Sequence, residues 1–382
     1  MKKFTLLILL LVCAIVTSSC IPRSFGMMAP TVAPETFAAT MENAIPISSD
    51  IFLPEAPEEY VLPDAVRDYH ADDRFVTDTI TANHTEYFVS EASQNRYFDG
   101  VLGRDNNEYN LGFYVLDLET GASFGYNARG RFAPACTIKA GYALFVCRQI
   151  AKGEGSFEET MVYEAKHYVK GTSTIRKLGL GAEFTVYQLI EHMLYESDNI
   201  AYYMLIDRFG YDGYNELMEQ LGVINRIGVG NRWSPLSPLD LGLIWQEIYN
   251  FRDECPEGRF LWEQLTTNNL NDIRIALEDY GNVYYDVIAH KSGWSENAYG
   301  DAGLVVSDHP YIIVVMTDSD VKPYAFFTTV VWLDKLMKNY HEWYDETYNT
   351  EPETAEAETE AETEAETEAE TETKTADQGT QS

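Results

Sequence analysis

The order of periodicities along the chain constrains the fold more than any other feature. Strand-like stretches come first, a long helical middle follows, and strands return before a final helix. Leu111 to Leu118 and Ala122 to Tyr126 flank Thr120-Gly121 and read as a hairpin. Phe132-Ala133-Pro134 lead into a helix that is apolar on nearly every side, hence buried, with Gly153 and Gly155 ending it. Thr185-Val186-Tyr187-Gln188 is a capping-box pattern opening a second helix. Further helices are expected from Ile200 to a stop at Gly210, from Tyr214 to Leu221 and from Pro238 to Tyr249. Strands are expected at Val287–Trp294, Ala302–Val306 and Tyr311–Thr317, and a closing helix at Ala325–Tyr340. A sheet interrupted by a helical insertion gives a two-lobed α/β (α+β) unit over residues 85–346: an antiparallel sheet flanked by helices plus an all-helical lobe.

The segments outside that unit have other characters. In residues 1–20, Lys2 and Lys3 precede an apolar run from Phe4 to Val16 and the small residues Thr17-Ser18-Ser19, the pattern of an export signal. The run is short for a spanning helix, which needs about 20 apolar residues. Small residues directly before Cys20 resemble the lipobox of bacterial lipoproteins, although Thr17 stands where leucine is usual. That resemblance implies lipidation at Cys20 and a membrane anchor on the outer face of the bacterial cytoplasmic membrane; without it, the chain would be secreted. Residues 21–84, Pro-rich at first, read as a linker. Residues 347–382 form an acidic tail in which Ala-Glu-Thr-Glu repeats from Ala361; the repeat has no apolar side chain larger than alanine and places like charges at i and i+4, so disorder is expected.

The formal net charge is −34 over 382 residues, and acidity extends beyond the tail. Nucleic-acid binding needs a basic face and is excluded as a reading. Seven histidines are scattered without metal-ligand spacing, and no dinucleotide or phosphate-cradling fingerprint is present, so no cofactor or metal is expected. His290, next to Lys291 on a strand, should face away from it and be structural. Cys136 and Cys147 lie on one expected helix, about 16 Å apart along its axis, too far for a disulfide.

Three short motifs carry the chemistry: Cys136-Thr137-Ile138-Lys139, Ser197-Asp198-Asn199 and Lys291-Ser292-Gly293. With serine at 136 they would read S-x-x-K, S-D-N and K-[ST]-G in order. The chain thereby resembles the class A β-lactamase and penicillin-binding family of active-site serine hydrolases, with cysteine in the nucleophile position, and the resemblance covers essentially the whole folded unit. It implies a cleft between the lobes, an acyl-enzyme mechanism, and cell-wall peptides or β-lactam-like small molecules as substrates. It further implies that Ser197 passes a proton to the leaving group and that Asn199 holds the lysine and the substrate amide. Lys291 and Ser292 would bind the substrate carboxylate, next to Gly293, and the backbone N–H groups of Cys136 and Trp294 would form the oxyanion hole.

From the residues themselves, Cys136 and Lys139 share a face at the start of a helix, where the helix terminus and the ammonium both favour thiolate. Class A enzymes carry a deacylating glutamate on the loop before the helix that starts here at Pro238. Leu221 to Leu239 contains no acid, so efficient β-lactamase turnover is not expected. Two readings stay open: a working cysteine acyl-transfer enzyme, or a catalytically silent cleft, with Cys136 a small adaptable replacement, that binds peptidoglycan or a protein partner.

Overall fold

The computed structural model describes residues 81–82, 87–97, 111–268, 271–296, 298–318 and 323–349. The export signal, Cys20, nearly all of the linker and the acidic repeat lie outside these residues. After β1 (Thr81–Ala82) and α1 (Glu91–Tyr97) come β2 (Leu111–Asp117) and β3 (Ser123–Tyr126). A 3₁₀ turn (Ala135–Thr137) runs into α2 (Ile138–Ala151). The middle holds β4 (Thr160–Val162), β5 (Glu183–Thr185), α3 (Val186–Leu194), α4 (Asn199–Phe209), α5 (Asp212–Gln220), α6 (Pro238–Phe251), α7 (Pro256–Thr266) and the short α8 (Asp272–Ile275). The chain then forms β6 (Val287–Ser295), β7 (Ala298–Val306), β8 (Tyr311–Thr317) and α9 (Pro323–Tyr344).

Six strands make one antiparallel sheet in the order β1-β3-β2-β8-β7-β6. The first and last segments of the unit thus pair at the centre, β2 on β8, and the helical insertion between β3 and β6 projects from one side. Period-two alternation divides the central strands between two cores. Tyr114, Leu116, Ile312, Val314 and Met316 pack with α2 and α6, whereas Phe113, Val115, Ile313 and Val315 pack under α9 through Phe326, Val330, Leu333 and Tyr340. Because both faces are covered, β2 and β8 are buried along their full lengths.

The expected helices and strands are present. The capping box at Thr185 forms as expected, Thr185 accepting from the Gln188 backbone. Gly210 terminates α4 with φ +72, a conformation costly for other residues. The inserted lobe is not purely helical, since β4 and β5 form a small antiparallel ladder within it. Three-residue strands are too short to show alternation. Helix α7 was not anticipated either; Pro256 at its start reads equally as a breaker or as a first-turn residue.

Candidate active site

Strand β6 and the 3₁₀ turn before α2 form one wall of the cleft. A Cβ on Gly293 would lie 2.4 Å from the Cys136 amide nitrogen and 2.8 Å from that of Thr137, so only glycine lets the strand approach this closely. Cys136 lies in the 3₁₀ turn rather than in the α-helix proper. Tighter winding eclipses i and i+3, which points Lys139 back at Cys136. Ala135, directly before the cysteine, has φ +43, and Ser197 has φ +53. For residues with side chains these are strained conformations, and two of the four such residues among those described flank one site.

Lys139 is fully buried, and its Nζ donates to Cys136 Sγ at 3.3 Å, Ser197 O at 2.6 Å and Asn199 Oδ1 at 2.7 Å. An ammonium has three N–H bonds and no acceptor, and all three are used here. Lys291 Nζ donates to Ser197 Oγ at 3.1 Å and to Ser292 O at 2.8 Å. Burial alone would raise the Cys136 pKa, but the charges of Lys139 and Lys291 and hydrogen bonds from Ser197 and Lys139 outweigh it and hold the thiol below its ordinary value. Burial lowers the Lys139 pKa despite the opposing pull of Cys136. Burial likewise lowers Lys291 to about 8, where Cys136 pulls it up and Lys139 pushes it down.

Asp198 builds the opposite wall. Its Oδ1 caps α4 through the Ile200 and Ala201 amides, while Oδ2 accepts from Ser173 Oγ and from the amides of Thr174 and Ile175. One buried carboxylate therefore locks the loop over the cleft to the helix carrying Asn199. The Asn199 Nδ2 donor expected for a substrate amide is engaged with Lys170 O at 3.2 Å.

The fold brings Cys136, Lys139, Ser197, Asn199 and Lys291 together as the motif order implied. His290 is buried against Asp301, with Nδ1 at 3.0 Å from Oδ2, in the structural position expected of it. Ser292 is 3% exposed, pairs in register with Asp301, and offers its carbonyl to Lys291. Trp294 was singled out for its backbone N–H, yet its side chain is 65% exposed. Trp233 was missed: its ring lies 5.6 Å from Lys139 Nζ and packs on Tyr202 with centroids 5.0 Å apart. The signal was available in the acid-free stretch before Pro238, which holds that single tryptophan.

The family profile described as "Beta-lactamase enzyme family" matches residues 95–329. The chain belongs to that family. It is 32% identical over 137 residues to β-lactamase ROB-1 of Haemophilus influenzae, a match covering 35% of this chain and 44% of ROB-1. The chain therefore matches less than half the length of that curated relative. The fold resembles that of PBP-A, with TM-score 0.58 and 20% identity over 65% of this chain and 97% of PBP-A. A PBP-A mutant solved as its acyl-enzyme complex with penicillin G gives the same values. A β-lactamase from Sphaerobacter thermophilus aligns with TM-score 0.55 and 20% identity, covering 63% of this chain and 93% of that one.

Proposed function

We propose that the protein is a β-lactamase-type hydrolase or acyltransferase in which Cys136 replaces the usual serine, acting on β-lactams or cell-wall peptides. The observation that carries this reading is the Lys139 ammonium, whose three N–H bonds are spent on Cys136 Sγ, Ser197 O and Asn199 Oδ1. Such a lysine stabilises a thiolate rather than taking a proton. The thiolate adds to the substrate carbonyl carbon, and the electron pair moves to oxygen beside the backbone N–H groups of Cys136 and Trp294. Collapse breaks the C–N bond and leaves a thioester. The departing nitrogen takes the Ser197 hydroxyl proton, which Lys291, 3.1 Å away, replaces.

Release of the acyl group is the weak step. No acid lies between Leu221 and Leu239, and Trp233 stands beside Lys139. Slow hydrolysis suits a long-lived acyl-enzyme or transfer to an amine better than rapid β-lactam destruction. The engaged Asn199 Nδ2 and buried Ser292 favour the second reading, a silent cleft for peptidoglycan or a protein partner.

Intact-mass spectrometry after incubation with penicillin G separates the two. The enzyme reading predicts one covalent adduct, mapped to Cys136, released by hydroxylamine and lost in Cys136→Ala, with slow acylation retained in Cys136→Ser. No adduct from penicillin G or a D-alanyl-D-alanine peptide supports the silent cleft, and rapid nitrocefin turnover overturns slow deacylation. The signal-like first twenty residues support export as a lipoprotein anchored through Cys20. Fatty-acid labelling that persists in Cys20→Ala contradicts this.

A further inference from the structure

At one end of the central strands, remote in sequence from the three motifs, the fold gathers side chains that no step above uses. Glu119 lies in the turn after β2, His309 in the turn between β7 and β8, and His341 near the end of α9. One potential ligand atom from each lies within 4.8 Å of the others. Asp117, at the end of β2, joins them: its Oδ2 is 2.7 Å from His341 Nε2. Asp345 Oδ2 is 3.8 Å from His309 Nε2. We propose that Glu119, His309 and His341, completed by Asp117, form a binding site for a zinc-class divalent cation.

The buried side of the cluster supports this first. Asp117 is fully buried, and its Oδ1 is occupied by the Thr120 amide at 2.6 Å and the Thr120 hydroxyl at 2.7 Å. Those bonds aim Oδ2 into the cluster, where it has no partner of hydrogen-bonding geometry. His341 Nε2, also buried, has none either, despite the short contact between them. At 2.7 Å the two form an ion pair; two ligands of tetrahedral zinc, bound at about 2.0–2.1 Å, lie about 3.3 Å apart, so an ion would enter by parting them.

The donor set supports it second. The rings of His309 and His341 stack with centroids 4.0 Å apart and planes inclined by 15°, and Asp117, Glu119 and Asp345 each bring a carboxylate oxygen to one of them. Two imidazoles with carboxylates are the donor set that zinc-class ions favour over magnesium or calcium.

Parallel rings cannot both present a nitrogen in plane to one ion, so binding requires one to turn. His309 is the ring able to do so, being on a turn with its side chain 38% exposed and Glu119 Oε2 2.6 Å from its Nδ1. Bound metal would then clamp α9 to the turns at the ends of β2 and β7.

Calorimetric titration of the chelator-treated full-length protein with Zn²⁺ tests the site, followed by zinc X-ray absorption of the complex. The expected result is one tight site with nitrogen and oxygen ligands only, weakened at least about tenfold in His309→Gln and in Glu119→Gln. These partly exposed positions avoid the folding cost of removing His341. Absence of a tight site overturns the proposal. A sulfur neighbour at about 2.3 Å, which would place the ion on a cysteine, overturns it equally. Affinity unchanged in both variants, as for ions on the acidic tail, also contradicts it.

Discussion

Cys136 and Cys147 stand at the two ends of one helical stretch and meet opposite environments. Cys136 sits in the 3₁₀ turn, partly exposed, with two ammonium groups whose charges outweigh burial and hold its thiol low. Cys147 is fully buried in the apolar core, where burial, then the charges of Glu257 and Cys255, push its thiol far up. The two sulfurs differ in the charged groups beside them as well as in depth. Charged donors buried along with the sulfur are what hold a thiol low.

Removing the donor should break the contrast most. Lys139→Met should lower Cys136 acylation about 10²–10³-fold, the effect typical of losing one preorganised electrostatic group, while Cys147 stays inert. Adduct formation followed by mass spectrometry measures it. Moving the strand should act next. Gly293→Ala inserts a methyl 2.4 Å from the Cys136 amide, which should separate β6 from the turn, suppress acylation and cost about 1–3 kcal/mol in urea unfolding.

Trp233→Glu sharpens the comparison from the other direction. A carboxylate beside Lys139 should speed release of the acyl group about tenfold or more, read as decay of the penicillin adduct, the scale of a modest general base. If the adduct decays no faster, Trp233 is not what retards hydrolysis. Cys147→Ala should have the smallest effect, leaving acylation unchanged and costing about 1–2 kcal/mol for the lost buried sulfur.

Much of this was legible in the sequence. The sheet-insertion-sheet order appeared because period-two stretches bracket capped, glycine-stopped helices such as Thr185 to Leu194 and Asn199 to Gly210. The five polar side chains of the site could be named because each belongs to a motif read along the chain. What stayed hidden depends on approach between distant segments. Trp233 reaches Lys139 only once the loop before Pro238 folds over α2, and Asn199 Nδ2 finds Lys170 only once Asp198 has locked the loop at residues 173–175. The cluster of Glu119, His309 and His341 has no local spacing at all, because three unrelated elements supply it.

The most direct test of the central claim is the pH dependence of alkylation at Cys136, mapped by mass spectrometry with Cys147 and Cys255 as internal references. The thiolate form should persist below the ordinary thiol pKa of about 8.5, so Cys136 should react at lower pH than the other two, whose thiols burial pushes up. As pH rises through about 8, Lys291 loses its charge and its support of the thiolate, so penicillin acylation should decline there although alkylation does not. A Cys136 rate that follows an ordinary thiol, or that falls at or below the rate of Cys147 at every pH, would contradict the ion pair and leave the cleft without a nucleophile.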